Sequence, residues 1–115
     1  MKVERDLIRG AGPVAVLQLL KAREMYGYEL VEALSRRTDG VLALGQSTLY
    51  PLLYSLEAKK LVESRWVELP SGRSRRYYRL TDQGAQVLRA RQAEWLELFQ
   101  ALSGLGLLES APDRS

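Results

Sequence analysis

The sequence predicts a mainly α fold with a small β-hairpin, a winged helix-turn-helix plus a long C-terminal dimerisation helix. Three observations predict it. In GQSTLYPLLYSLEAKK, residues 45–60, Leu49, Leu52, Leu53 and Leu56 recur three and four apart, which is the spacing of a helix with one buried stripe. Across residues 61–80 the period changes to two, on either side of a Pro70-Ser71-Gly72 turn. From Ala85 to Leu102 the residues Ala85, Leu88, Gln92, Trp95, Phe99 and Leu102 step by three and four as a and d positions do.

The elements follow in order. Val14, Val16, Leu17, Leu19 and Leu20 form an apolar segment, and Pro13 suits the first position of a helix, where its missing N–H costs nothing. The first helix is therefore expected over 13–22, with a short helical arm before Gly10. In MYGYELVEALSRR, Tyr28, Val31 and Leu34 repeat at helical spacing with Leu30 beside them, and Gly27 signals a close backbone approach or a turn. Asp39-Gly40 marks a turn, and VLAL after it reads as a very short strand. The quoted helix is expected over 47–59 with Ser47 as N-cap, which leaves Pro51 in the first turn. LVESRWVEL and RSRRYYRL are two strands of β-formers, and Thr81-Asp82 offers an N-cap for the last helix, which ends near Gly104 and Gly106. Residues 1–81 thus form the helix-turn-helix and wing, 82–108 the dimerisation helix, and 109–115 a polar, disordered tail.

Composition excludes several function classes. A chain of 115 residues suits one domain with a modest core. It contains no cysteine and no histidine, which removes a disulfide framework, a thiolate nucleophile, the usual zinc ligand and the commonest general base. With no phosphate-binding glycine loop and no acids at metal spacing, an enzyme is not expected, nor a metal or a cofactor. The longest apolar run, Val14 to Leu20, is broken by Gln18 and far short of the roughly 20 residues of a membrane span. MKVERD carries no signal-peptide block, so a soluble cytoplasmic protein is expected.

Charge is unevenly spread. The net charge is +3, yet residues 59–79 hold seven basic side chains against Glu63 and Glu68, a local balance of +5. Three of these, Arg73, Arg75 and Arg76, crowd the hairpin tip. That is the pattern of a surface meeting a phosphate backbone.

Helix 45–60 turns Ser47, Tyr50, Pro51 and Tyr54 away from its buried stripe. In a helix-turn-helix the second helix enters the major groove by its N-terminal residues. Ser47, Thr48 and Tyr50 can bond phosphates or base edges there, and Pro51 and Tyr54 offer apolar contact to thymine methyls. The arginine-tipped hairpin is then a wing along the backbone or in a minor groove. Leu88, Trp95, Phe99 and Leu102 form the expected dimer seam. A winged-helix interaction adaptor that binds no DNA is the alternative, and the basic hairpin argues against it.

The segments YGYEL (26–30), GQSTLYPLLYSLE (45–57), LVESRW (61–66) and RRYYRLTDQG (75–84) together resemble the PadR family of bacterial transcriptional regulators over about residues 8–105. The resemblance implies a dimeric winged-helix repressor whose last helix supplies most of the dimer contact. It places the recognition helix on Thr48, Tyr50, Pro51 and Tyr54 and the wing on Arg73, Arg75 and Arg76. With one helix after the wing, the chain looks like the short subfamily. Some of its members are similar to multidrug sensors in which a tryptophan of the last helix stacks with flat aromatic compounds at the dimer interface. Trp95 falls at that place, with Phe99 beside it, as candidate residues for a small aromatic effector.

Overall fold

The computed structural model describes residues 4–108. Its elements run α1 (Arg5–Ala22), β1 (Met25–Tyr26), α2 (Gly27–Arg37), α3 (Gln46–Ala58), β2 (Val62–Glu68), β3 (Ser74–Leu80) and α4 (Asp82–Gly104). The three strands make one antiparallel sheet in the order β1-β3-β2. The expected tail, 109–115, lies outside the described residues.

One core joins the layers. Val16, Leu17 and Leu20 of α1 meet Leu30 and Leu34 of α2, Leu49 and Leu53 of α3, Val62 and Tyr78 of the sheet and Leu88 of α4. The stripe expected on α3 is the one observed: Leu49, Leu53 and Leu56 are buried and Leu52 is half-buried against this cluster. On α2 the buried residues are Gly27, Leu30, Ala33 and Leu34, whereas Tyr28, expected on the inner stripe, points outward and donates its hydroxyl to Glu32.

Three boundaries differ from expectation. The first helix begins at Arg5, so Pro13 lies inside it rather than at its start. The turns before Pro13 are kept helical by packing: Gly12 is buried, and a β-carbon there would stand 3.0 Å from Leu52 Cδ1 of α3. Helix α3 starts at Gln46 with Gly45 as N-cap, so Ser47 is a first-turn residue and caps nothing.

The third correction concerns the short strand. Residues 41–44 form no strand. Asp39 and Gly40 both take positive φ (52° and 82°), Thr38 Oγ1 accepts from the Leu42 amide at 2.9 Å, and Leu44 is tucked into the core. The edge of β3 pairs instead with Met25–Tyr26, in the register Met25 to Tyr78 and Tyr26 to Tyr77.

Two ends of helices are fixed by backbone chemistry. After α3, Lys60 takes φ 63°, the Lys60 amide donates to Glu57 O and the Leu61 amide to Leu56 O. These are the paired bonds of a Schellman motif, with lysine where glycine is usual. At the start of α4, Thr81 Oγ1 accepts from the Gly84 amide at 2.9 Å and donates to the Lys60 carbonyl at 2.8 Å. Gly84 is obligatory here, since a β-carbon would collide with the Leu61 carbonyl oxygen.

Candidate nucleic-acid interface

Helix α3 is aimed by its buried stripe, which fixes the opposite face outward. Ser47, Thr48, Pro51 and Tyr54 are all exposed, Tyr54 to 51%. Pro51 is the sixth residue of the helix, past the first turn, and so denies the Ser47 carbonyl its usual i+4 donor. The helix start carries partial positive charge, which favours a phosphate.

Tyr50 behaves differently from its neighbours. It is half-buried against the core, its ring against the backbone of Gly27 at the start of α2 and 6.2 Å from the Tyr54 ring. Only its edge borders the open cleft between α3 and the wing. Tyr26, Tyr28, Tyr54, Trp66, Tyr78, Arg73, Arg75 and Arg76 line the same cleft, which has a volume of about 660 Å³. Tyr50 and Tyr54 of α3 and the basic hairpin therefore share one concave surface, whereas Thr48 and Pro51 line a separate groove against α1, bordered by Arg5, Arg9 and Lys59.

The wing is a tight hairpin. The Gly72 amide donates to Leu69 O at 2.8 Å, Gly72 takes φ 89°, and the Leu69 amide donates to Arg73 O at 2.7 Å. A three-residue loop closed by a left-handed glycine is a favoured hairpin geometry, and it presents Arg73 and Arg75 to solvent. The Arg75 guanidinium sits 4.3 Å from the centre of the Tyr26 ring, and Tyr26 meets Tyr77 edge-on at 5.4 Å. This stacking orients Arg75 while leaving its donors free, since a ring face accepts charge without using N–H groups.

Arg76 is placed otherwise. It is half-buried, donating Nη2 to Glu57 Oε1 at 2.9 Å and Nε to Ser64 Oγ at 2.9 Å. Its guanidinium also lies within 6 Å of the ring centres of Tyr54, Trp66 and Tyr78. The buried Tyr78 hydroxyl has no hydrogen-bond partner among the described residues, and burial pushes its phenol pKa up.

Sequence reasoning passed over Trp66. It is 67% exposed on β2, opposite Arg76 in the strand register, and faces the cleft near Tyr54. Its place on the strand was legible in the alternation through Val62, Ser64 and Trp66, but an aromatic residue is an ordinary strand former and marks no site by itself. On the other flank, Arg65 and Arg79 are paired with Glu24 and Glu63, and the Arg65 hydrogen bond holds the Glu24 carboxyl below its usual range. Part of the +5 segment is thus neutralised locally, whereas Arg73 and Arg75 enter no ion pair among the described residues.

Helix α4 changes partner along its length. Leu88, expected on the dimer seam, is 2% exposed in the core of its own chain, and Gln92 donates to Gln18 of α1 at 2.9 Å. Beyond that contact the helix leaves the body. Leu96, Leu98 and Phe99 are exposed, as are Leu105, Leu107 and Leu108 just after it. Trp95 is half-buried and meets Phe99 edge-on at 5.8 Å, with Leu102 half-exposed along the same face. Among the described residues, no cluster of acids could hold a metal and no helix is long and apolar enough to cross a membrane.

The sequence and fold are shared with known proteins. The model of the Transcriptional regulator PadR-like family matches residues 16–90. A PadR family transcriptional regulator from Eggerthella lenta is 36% identical, with a TM-score of 0.79 over 90% of this chain and 88% of that one. A transcriptional regulator from Clostridium thermocellum is 28% identical, with a TM-score of 0.79 over 86% of this chain and 96% of its own. An uncharacterized protein from Lysinibacillus sphaericus is 33% identical over 100 residues, 87% of this chain and 92% of its own length.

Proposed function

The chain belongs to the PadR-like family of transcriptional regulators, and on that premise we propose that it is a homodimeric repressor that binds a pseudo-palindromic operator in a promoter. The observation that carries this reading is the outward face of α3, on which Ser47, Thr48, Pro51 and Tyr54 are exposed and Tyr54 shares a cleft with a wing that offers Arg73 and Arg75. The Ser47 and Thr48 hydroxyls read base edges or position phosphates, and the wing arginines neutralise the flanking backbone. Tyr50 supports the site from below. Repression follows from occupying the promoter.

The exposed apolar end of α4, from Trp95 through Phe99 and Leu102, supports dimerisation through that helix. Two recognition helices would then meet half-sites about 34 Å apart. A small aromatic effector entering beside Trp95 and Phe99 would release the operator by altering the crossing of the two final helices. Such release requires that the effector prefer the dimer that cannot bind DNA.

The test is a salt-dependent titration against a duplex from the region upstream of its own gene and against a scrambled duplex, with mass measured alongside. A dimer that prefers the promoter by about 10³-fold, with a steep salt slope, is expected. Indifference to both duplexes would sink the reading in favour of an interaction adaptor.

A further inference from the structure

Three side chains from three elements close a ring between the recognition helix and the wing. Arg76 of β3 donates Nη2 to Glu57 Oε1 at 2.9 Å and Nε to Ser64 Oγ at 2.9 Å, and Ser64 Oγ of β2 donates to Glu57 Oε2 at 2.7 Å. Both carboxylate oxygens, the hydroxyl and two guanidinium donors are used. At 33% and 30% side-chain exposure this is the most shielded ion pair among the described residues. Tyr54 of α3, Trp66 of β2 and Tyr78 of β3 place their rings around the same guanidinium.

The position of Glu57 is informative in itself. It lies in the last turn of α3, which carries no basic residue, so the carboxylate sits at the negative end of the helix dipole. Lys59 and Lys60 follow directly and supply positive charge at that end, but the group bonded to the carboxylate is Arg76. A surface glutamate with no partner would be better placed elsewhere on α3.

We propose that Arg76 is a positioning residue that fixes the angle between α3 and the wing through Glu57 and Ser64, without touching DNA. The proposal rests on the DNA-binding reading above. To reach a phosphate, Arg76 would have to abandon a bidentate set of bonds and leave Glu57 beside the backbone, a like-charge contact. Arg73 and Arg75 are free for that task. A rigid ring at the base of the hairpin holds them at one reach from α3, so that helix and wing engage neighbouring stretches of the duplex together.

The sign of one substitution separates the two roles. Glu57→Gln removes a negative charge and leaves Arg76 without its ionic partner. If Arg76 positions the wing, Glu57→Gln and Arg76→Ala each lower promoter affinity about tenfold and erode the preference over a scrambled duplex, with the salt slope kept within about 0.5 of wild type. Arg76→Lys fails to rescue, because an ammonium cannot span both partners. Ser64→Ala, a gentler change, acts in the same direction, and circular dichroism confirms folding.

Tighter binding of Glu57→Gln to both duplexes, or a slope reduced by about 0.9 in Arg76→Ala, would overturn the proposal and make Arg76 a phosphate contact. Should the wild type ignore both duplexes, the DNA-binding reading fails separately. The ring is then judged by hydrogen exchange of the β2–β3 amides: faster exchange in Glu57→Gln supports it, and unchanged exchange overturns it.

Discussion

The phenol ring of Tyr50 lies so close to Gly27 that its hydroxyl, Cζ and Cε1 would all clash with a β-carbon there. The contact ties the start of α2 to the middle of α3 and so sets how the two helices of the helix-turn-helix cross. Gly27→Ala must displace Tyr50, at a cost of about 1–3 kcal/mol typical of overpacking. Thermal melts of Gly27→Ala in wild-type and Tyr50→Ala backgrounds check this. The glycine substitution is expected to cost much less once the ring is gone, and an equal cost in both would refute the contact's role.

That pair also shows what was legible in the sequence. Gly27 reads as a close approach, and Tyr50 reads as a residue on the outer face of α3, but their meeting is a tertiary event that no local pattern encodes. The leucine stripe of α3 and the hairpin about Pro70-Ser71-Gly72 were legible because periodicity and turn chemistry are local. Strand β1 was not, since two residues have no period and Met25–Tyr26 is a strand only because β3 offers an edge. VLAL has the better strand composition, yet the left-handed Asp39-Gly40 pair and the burial of Leu44 turn it away. Leu88 misled for a related reason: the heptad runs unbroken while the surface it meets changes from α1 to solvent.

Arg73 and Arg75 are expected to act on all duplexes alike. Replacing both by alanine should weaken promoter and scrambled DNA together and flatten the salt slope by about 1.8, near 0.9 for each phosphate no longer neutralised. Thr48→Ala should instead reduce preference for the promoter with little change in slope, as expected of a base-reading group. Titrations at several salt concentrations distinguish them, and a slope unmoved by the double substitution would remove the wing from the interface.

Lys60 carries a conformational penalty at the end of α3, holding φ 63° to complete the Schellman bonds. Glycine adopts that region freely, although it also gains freedom in the unfolded chain. Lys60→Gly is therefore expected to stabilise the protein by about 0.5–1 kcal/mol, read as a higher Tm. A lower Tm would mean that the Lys60 side chain contributes more than its backbone costs.

Tyr78 buries a hydroxyl with no partner among the described residues. Tyr78→Phe removes that desolvated group while keeping the ring beside Arg76, so a gain of about 1 kcal/mol is expected. The pH dependence has a definite sign. Burial raises the phenol pKa of the folded state above 10.0, so the unfolded chain gives up its proton first and stability falls as the pH rises past that value. Denaturant melts at neutral pH and above pH 10 check both points, because Tyr78→Phe should lose this share of the alkaline decline.

The end of α4 carries the strongest prediction about assembly. Leu96, Leu98 and Phe99 stand exposed on a helix that has already left the body, and Trp95 and Leu102 lie along the Phe99 face. An exposed apolar row of this kind fits burial against a second copy of the same helix. Phe99→Asp is expected to leave the fold and Tm of the monomer intact while shifting sedimentation from dimer to monomer and abolishing promoter preference. Leu88→Ala should do the reverse, lowering stability by about 2–5 kcal/mol through a core cavity without directly touching the interface. If Phe99→Asp remained a dimer, the helices would have to meet elsewhere, and the effector position beside Trp95 would fall with them.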